Sequence, residues 1–258
     1  KFNKIICLND TDCICNKLKL IRYYPINYYI LNDITNKYNF TRLLSKFNML
    51  QYHPKTYLNY IPDSNNKKYF LKYAYKEAQA GIFYGDINYL KSIILIVKNN
   101  KMKNIQSTHP YIIQESIDNC LKVNNNRIVF GLWFILHSNS FSIYEKTTEI
   151  GIDKTDKDRI SMRYDVLKDS DIKNHNIILK NMIKVSNMFL KNIIKYFNKY
   201  DINDKQFSLC RMDFLIDENY KPYILEINYN IDLDGKMSFK DTGFTEFIVK
   251  NKFIKLLY

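Results

Sequence analysis

The sequence predicts an α+β fold built on antiparallel β-hairpins, and three stretches of the chain support this. Apolar runs on either side of turn residues predict one hairpin over 212–227 and another over 130–144. Apolar residues at helical spacing predict a long amphipathic helix over 177–197. We expect its apolar stripe to lie in the core; the members are Ile178, Met182, Val185, Met188, Phe189, Ile193 and Phe197.

Composition indicates an ordered globular chain. The 258 residues are 46% hydrophobic and include only 6 Gly and 5 Pro, which excludes disordered and low-complexity classes. The net charge of +13 favours an anionic partner, and lysines spread evenly over the surface are the alternative explanation. The basic residues form no continuous block, so we expect no dedicated nucleic-acid site.

Cysteine usage and hydropathy favour a cytoplasmic protein. The 5 Cys are an odd number without zinc-ligand spacing, so we expect reduced thiols. No apolar run approaches the roughly 18 residues that a membrane span needs, and no signal peptide is recognisable. None of the 4 His has a second His at ligand spacing, so we expect no zinc site.

The hairpin at 212–227 carries two carboxylates where a buried sheet favours aliphatic side chains. Asp213 lies in its first strand and Glu226 in its second, and Asn228 points to the same face as Glu226. Facing buried carboxylates require a cation, because an unpaired buried charge is costly. This oxygen set suits Mg²⁺, which also binds nucleotide phosphates. The hairpin is therefore predicted to be a metal–nucleotide site; a plain hairpin with two surface acids is the alternative.

The run from Asp213 to Asn228 resembles the end of the ATP-grasp domain in the tubulin-tyrosine-ligase-like family. It has the family's Asp-Phe pair, Asp-Glu-Asn turn, Lys-Pro pair and final Glu-Ile-Asn in register. The resemblance covers roughly residues 35–250. It implies an ATP-grasp fold, with mixed and antiparallel sheets in two lobes and the nucleotide between them.

Lys72, at the end of a short predicted strand, is the first candidate phosphate contact. A lysine beside a flexible loop can hold phosphate charge, although an ordinary surface lysine is the alternative. The resemblance implies that Lys72, the loop lysine Lys76 and Gly81 contact the nucleotide. In this sequence Ala78-Gln79-Ala80 stands where the family's loop has small glycines.

The strand predicted at 111–117 matches the family segment whose backbone holds adenine. The resemblance assigns that role to four consecutive residues: Gln114, Glu115, Ser116 and Ile117.

The family's Lys-Phe-Asp-x-Arg-x-Trp pattern falls on residues 127–133 without a gap. Arg127 can replace the phosphate-contacting Lys, but the Asp is Val129 and the Arg is Gly131. Because that Arg handles the acyl-phosphate or amino-acid side of the family's reaction, its loss weakens the case for ligation. Lys146 matches a further family lysine, and the resemblance makes Arg127 and Lys146 the catalytic residues.

Several segments carry expectations about structure alone. Thr35 is the expected N-cap of a helix, and the resemblance implies that 54–57 begins a strand. The charged stretch 151–172 is expected to be a loop, over the active site or simply solvated. The resemblance implies a loop at 232–235, and we expect a closing helix over 245–257.

We expect an N-terminal segment at 1–60, a central lobe at 61–115 and a C-terminal lobe at 116–258. The resemblance implies an ATP- and Mg²⁺-dependent carboxylate–amine ligase that adds a free amino acid to an acidic, tubulin-like protein tail through an acyl phosphate. One alternative is a degenerate ATP-grasp domain that binds nucleotide or a partner without turnover. Another is an ATP-grasp kinase of an anionic small molecule such as an inositol phosphate.

Overall fold

The structure is a computed structural model that describes residues 28–63, 66–74, 81–99, 105, 108–137, 140–146, 149–156, 159–163, 172–197 and 207–229. Within them the helices are α1 (Tyr28–Thr35), α2 (Lys37–Lys46), α3 (Ile87–Lys98) and α4 (His175–Phe197), with a 3-10 turn at Leu50–Tyr52. The strands are β1 (Thr56–Leu58), β2 (Tyr69–Tyr73), β3 (Ile82–Gly85), β4 (Tyr111–Glu115), β5 (Lys122–Val123), β6 (Asn126–His137), β7 (Phe141–Ile143), β8 (Glu149–Asp156), β9 (Arg159–Arg163), β10 (Phe207–Ile216) and β11 (Pro222–Tyr229). Among these helices, none has both the length and the apolar character needed to cross a membrane.

The smaller sheet has the strand order β1-β4-β2-β3, and its strands are antiparallel. Side chains of a strand alternate between the two faces of the sheet. One face packs in a buried cluster with α3 that includes Tyr69 and Leu71. The other face carries Phe70, Lys72 and, opposite Phe70 on β4, Gln114.

The larger sheet has the order β11-β10-β6-β8-β9, with β5 and β7 also paired to β6. One of its faces is the main hydrophobic core, where Phe130, Met212 and Phe214 pack against Phe189 of α4. Helices α1 and α2 contribute to the same core. The N-terminal helices therefore pack on the larger sheet, and the opposite face of that sheet is left to form a site.

The two predicted hairpins are confirmed. In the first, β10 and β11 pair so that Asp213 lies directly opposite Glu226, and Arg211 lies opposite Asn228. The pairing shifts by one residue after Asp213, which leaves Leu225 as an extra residue on β11. Such a β-bulge lets two consecutive side chains point to one face. In the second, β6 pairs with β7.

The predicted loop over 151–172 is wrong for its first part, because β8 and β9 form a charged β-hairpin there. β8 pairs with β6, so the backbone N–H and C=O groups of β8 form hydrogen bonds within the sheet. Strands near a sheet edge tolerate charged side chains that hide the usual strand pattern. Residues 164–171 lie outside the described part of the chain, as do the loop at 232–235 and the closing helix at 245–257.

Two smaller predictions need correction. Asn36, not Thr35, caps α2: its side chain accepts hydrogen bonds from the backbone N–H groups of Tyr38 and Asn39, at 3.1 and 3.2 Å. Thr35 instead belongs to the last turn of α1. The stripe of α4 is buried as predicted at Ile178, Met182, Val185, Phe189 and Ile193, but Met188 is 38% exposed. The side chain of Phe197 lies outside the described part.

Candidate functional site

A cleft separates the polar face of the smaller sheet from the free face of the larger one. The empty space in it is about 590 Å³, which includes space open to solvent. Its lining residues come from both sheets and from the segments next to their strands: Pro54, Phe70, Lys72, Ile82, Gln114, Glu115, Ile117, Arg127, Val129, Leu215, Leu225 and Glu226. Six residues predicted to bind nucleotide, catalyse or bind metal thus line one cleft: Lys72, Gln114, Glu115, Ile117, Arg127 and Glu226.

Lys72 is held on the small-sheet side by a side chain of the neighbouring strand. Its Nζ donates to Oε1 of Gln114 at 2.7 Å, and Lys72 is 9% exposed. The hydrogen bond fixes the ammonium of Lys72, so its position does not depend on a ligand.

His53 links Gln114 to the larger sheet. Its Nδ1 lies 2.7 Å from the carbonyl oxygen of Ile224 and therefore carries the proton, since a carbonyl can only accept. Nε2 then accepts from Nε2 of Gln114, at 3.3 Å. Burial lowers the pKa of His53 to about 4, so this arrangement of protons holds at neutral pH. His53 was missed in the sequence because nothing near it indicates a site.

Arg127 brings a second cation into the cleft from β6. Its Nη2 donates to Oγ of Ser116 at 2.6 Å. Its guanidinium carbon lies 5.4 Å from the ring centroid of Phe70 and 5.6 Å from that of Tyr84. Nζ of Lys72 lies 5.7 Å from the same Phe70 centroid, so the two cations lie near one buried ring, and together they suit a phosphorylated ligand.

Val129 belongs to an apolar wall of the cleft. It packs with Leu215 and Cys120, and with the partly buried Ile117 and Leu225. The loss of the family's Asp at this position therefore leaves a continuous apolar surface, which suits a planar base.

Asp213 lies at the centre of the larger sheet and is 1% exposed. Arg211 donates to it in a bidentate manner, from Nε to Oδ1 at 2.7 Å and from Nη2 to Oδ2 at 3.0 Å. Asn228 also donates, from Nδ2 to Oδ2 at 2.8 Å. The predicted acid and amide are thus together, with an arginine that the sequence reasoning missed. Its position two residues before Asp213, on the same strand face, was the available signal.

Glu226 forms a salt bridge with a lysine of the N-terminal helices. Lys37 of α2 places Nζ 3.1 Å from its Oε2. Burial raises the pKa of Glu226, but the charges of Lys37 and Lys72 and hydrogen bonds from Lys37 and Asn228 outweigh burial and lower it to about 2. Glu226 is therefore a carboxylate at neutral pH. Lys37 lies too far away in sequence for any local pattern to indicate its role.

Gly131 makes the position of Arg211 possible. A Cβ atom on Gly131 would lie 2.7 Å from Cδ of Arg211, closer than real contacts allow. The guanidinium carbon of Arg211 lies 5.9 Å from the ring centroid of Trp133. The position where the family has an arginine is thus filled from the neighbouring strand.

Of the remaining predicted residues, Glu115 lines the cleft, and Gly81 and Lys146 do not. Gly81 precedes β3 with φ of 88°, and its carbonyl accepts from the N–H of Tyr73. The carboxylate of Glu115 is held by Tyr57 and Lys67, at 2.8 and 2.6 Å. Lys146 is exposed and does not line the cleft, while Lys76 lies outside the described residues. The roles assigned to these residues stay predictions.

Comparison with known proteins gives one family and several structures. The sequence profile of the tubulin-tyrosine ligase family matches residues 153–251, which include α4, β10 and β11. No curated protein matches the sequence. The C-terminal domain of Pby1 from K. lactis, an ATP-grasp enzyme interacting with the mRNA decapping enzyme Dcp2, has a similar fold (TM-score 0.52, 13% identity, 84% of this chain and 70% of that one). An L-amino acid ligase from Bacillus licheniformis has a TM-score of 0.47 and 11% identity over 79% of this chain and 42% of its own.

Two facing sheets with cations and carboxylates in the cleft, together with the similarity to the Pby1 domain, define the class: this chain has the ATP-grasp fold. Within that class it is a divergent protein similar to the tubulin-tyrosine ligase family. The predicted fold class and the resemblance are both confirmed.

Proposed function

We propose that the cleft binds ATP and that the chain is an ATP-dependent carboxylate–amine ligase. The observation that carries the proposal is the convergence of Lys72, Arg127 and Glu226 on one cleft from three different strands. Two cations opposite a carboxylate are the arrangement that a polyphosphate with a bound cation requires. The similarity to the tubulin-tyrosine ligase family supports the reaction class.

Each part of the nucleotide has a matching part of the cleft. The apolar wall around Val129 and Leu215 would hold the adenine, and the backbone of residues 114–117 lies beside it at the end of β4. Lys72 and Arg127 would contact the phosphates. Lys72 donates to Gln114 and Arg127 donates to Ser116, and these hydrogen bonds hold both cations at the cleft.

The predicted metal ligands differ in how well they fit Mg²⁺. Among the described residues, no three His, Cys, Asp or Glu side chains converge as a metal site. Glu226 lines the cleft with 22% of its side chain exposed, so it can reach an ion beside the phosphates. Glu226 and Asn228 would hold Mg²⁺ together with phosphate oxygens and water. When bound, Mg²⁺ supplies neutralisation of phosphate charge.

In the proposed reaction a substrate carboxylate takes the γ-phosphoryl group of ATP, ADP leaves, and an amine then displaces phosphate from the acyl phosphate. The protein contributes position and charge: Lys72 and Arg127 would stabilise the negative charge that develops during phosphoryl transfer. An acidic protein tail and a free amino acid are the proposed substrates. The net charge of +13 supports an acidic acceptor.

The first test is calorimetry of ATP binding in the presence of Mg²⁺. We expect wild type to bind, and Lys72→Met and Arg127→Met each to weaken binding at least about tenfold, or roughly 1.4 kcal/mol. Lys67→Met is the matched control, since Lys67 is an exposed lysine of the same lobe that pairs with Glu115. Absence of ATP binding by wild type, or equal weakening in the control, would contradict the proposal.

The second test is ADP release with pools of acidic peptides and amino acids. Release that requires both pools supports the ligase. A non-catalytic nucleotide-binding module is the second candidate, because Asp213 is already paired with Arg211 in the site. Tight ATP binding without release in any pool would favour that candidate.

A further inference from the structure

We propose that Arg211 is the permanent cation partner of Asp213, and that Asp213 is therefore a positioning residue and not a metal ligand. The inference rests on the proposed nucleotide-binding function and leaves Glu226 and Asn228, of the three predicted metal ligands, to contact the ion.

The hydrogen bonds of Asp213 leave little room for a metal ion. Arg211 occupies both carboxylate oxygens, at 2.7 and 3.0 Å, and Asn228 adds a third bond. Magnesium ligands lie at about 2.1 Å and demand near-octahedral geometry. An ion at Asp213 would therefore have to displace a bidentate guanidinium, which is the strongest form of charge-assisted hydrogen bonding to a carboxylate.

The space around Arg211 shows that the guanidinium belongs where it lies. Gly131 leaves open the volume that Cδ of Arg211 fills, and the ring of Trp133 lies alongside. The side chain of Arg211 is 6% exposed and that of Asp213 1%. A buried arginine that lost its carboxylate would be left as an uncompensated charge, so movement away from Asp213 is strongly disfavoured.

The surrounding charges favour the same conclusion. Asp213 is balanced by Arg211, while Glu226 is balanced by Lys37 and also feels the charge of Lys72. A divalent cation bound to Asp213 would lie beside a buried guanidinium and be repelled. The same ion beside Glu226 would face the open cleft, where nucleotide phosphates can share it.

Mn²⁺ binding in the absence of nucleotide tests the proposal on the purified chain. Free and bound Mn²⁺ are distinguished by electron paramagnetic resonance. We expect Arg211→Met, which keeps the apolar length of the side chain, to bind Mn²⁺ at least tenfold more tightly than wild type. Adding Asp213→Asn to that variant should remove the gain.

Lys37→Met is the matched control because it frees Glu226 instead of Asp213. Any gain of Mn²⁺ binding in Lys37→Met should survive the addition of Asp213→Asn. If instead wild type binds Mn²⁺ and Asp213→Asn alone weakens that binding tenfold or more, Asp213 is a metal ligand and the proposal is overturned. The proposal is also overturned if Arg211→Met folds and shows no gain.

Arg211→Met leaves Asp213 unpaired and could prevent folding. The deciding comparison is then wild type against Asp213→Asn, with Mn²⁺ titrated without nucleotide and again in the presence of ATP. A change in Mn²⁺ affinity below threefold supports the proposal, and a larger loss contradicts it. Failure of ATP binding would remove the proposed function alone, since the titrations without nucleotide still decide the role of Asp213.

Discussion

Because Gly131 has no side chain, the neighbouring strand β10 can place the side chain of Arg211 in the space beside it. In the resembling family this position carries an arginine, so the glycine alone suggests a lost function. The structure places Arg211 over the glycine, with its guanidinium on Asp213. A guanidinium is therefore still present at the centre of the sheet, although it comes from β10 and not from β6.

Gly131→Ala should destabilise the protein by about 1–3 kcal/mol, because the added Cβ forces Arg211 to move. Chemical denaturation measures the free energy of unfolding. The cost should shrink when Gly131→Ala is made in an Arg211→Ala background, where the volume is empty. An equal loss of unfolding free energy in both backgrounds would show that the added Cβ does not clash with Arg211.

His53 makes the stability depend on pH. Its pKa is lowered to about 4 in the native state, against 6.5 when unfolded, so below pH 6.5 the unfolded chain takes up a proton that the native state excludes. Stability is therefore full above pH 6.5 and should fall by about 3 kcal/mol as the pH decreases towards 4. Urea unfolding between pH 7.5 and 5 measures the slope.

His53→Gln should remove that slope, while His109→Gln, at a histidine outside the cleft, should keep it. The window above pH 5 avoids Glu226, whose lowered pKa of about 2 removes stability only as the pH falls below about 4.5. An unchanged slope in His53→Gln would show that other groups cause the acid sensitivity.

At the scale of single elements, the junction of α1 and α2 depends on one side chain. Asn36 satisfies two backbone N–H groups at the start of α2, whereas the hydroxyl of Thr35 donates to the carbonyl oxygen of Leu31 at 2.8 Å. Either residue type can cap a helix, so the sequence alone does not separate Thr35 from Asn36. Asn36 is the cap because α1 ends at Thr35 and α2 begins at Lys37, which leaves Asn36 alone between the two helices.

Asn36→Ala should cost about 1 kcal/mol of stability, as loss of an N-cap does. Thr35→Ala should cost less than about 0.5 kcal/mol, because it removes only a bond within α1. Thermal unfolding monitored by circular dichroism compares the two variants. The reverse order of melting temperatures would restore Thr35 as the cap.

The elements that could be predicted are those whose signal is local. The β10–β11 hairpin carries its turn and both apolar runs within eighteen residues or so, and α4 repeats its stripe over several turns. β8 and β9 could not be predicted, because their charged sequence shows no apolar alternation. β8 joins the sheet by pairing with β6, and β9 pairs with β8. Lys37 and His53 were not predicted, because tertiary pairing alone brings them to the site, whereas the place of Arg211 two residues before Asp213 was a local signal.

At the scale of the whole molecule, the two sheets form one site that neither could form alone. Lys72 comes from the smaller sheet, and Arg127 and Glu226 come from the larger one. A ligand that contacts both sheets should therefore raise the free energy of unfolding of the whole protein. The resemblance predicted this arrangement of lobes, but not the cations that the N-terminal helices and β10 add to it.

ATP at about one hundred times its dissociation constant should raise the free energy of unfolding by roughly 2.7 kcal/mol. A differential scanning measurement should show this as an increase in melting temperature that depends on ATP concentration. Lys72→Met and Arg127→Met, one from each sheet, should each reduce it. A shift that survives in both variants would place the nucleotide elsewhere.

The hydrogen bonds of His53 have a consequence for the width of the cleft. The bulge on β11 turns Leu225 and Glu226 to the same side, and the carbonyl oxygen of Ile224 accepts from His53, which in turn accepts from Gln114. Gln114 holds Lys72. Three hydrogen bonds thus set the distance between the ammonium of one lobe and the carboxylate strand of the other. Since these hydrogen bonds join the two sheets without a ligand, we expect binding to require little closure of the cleft.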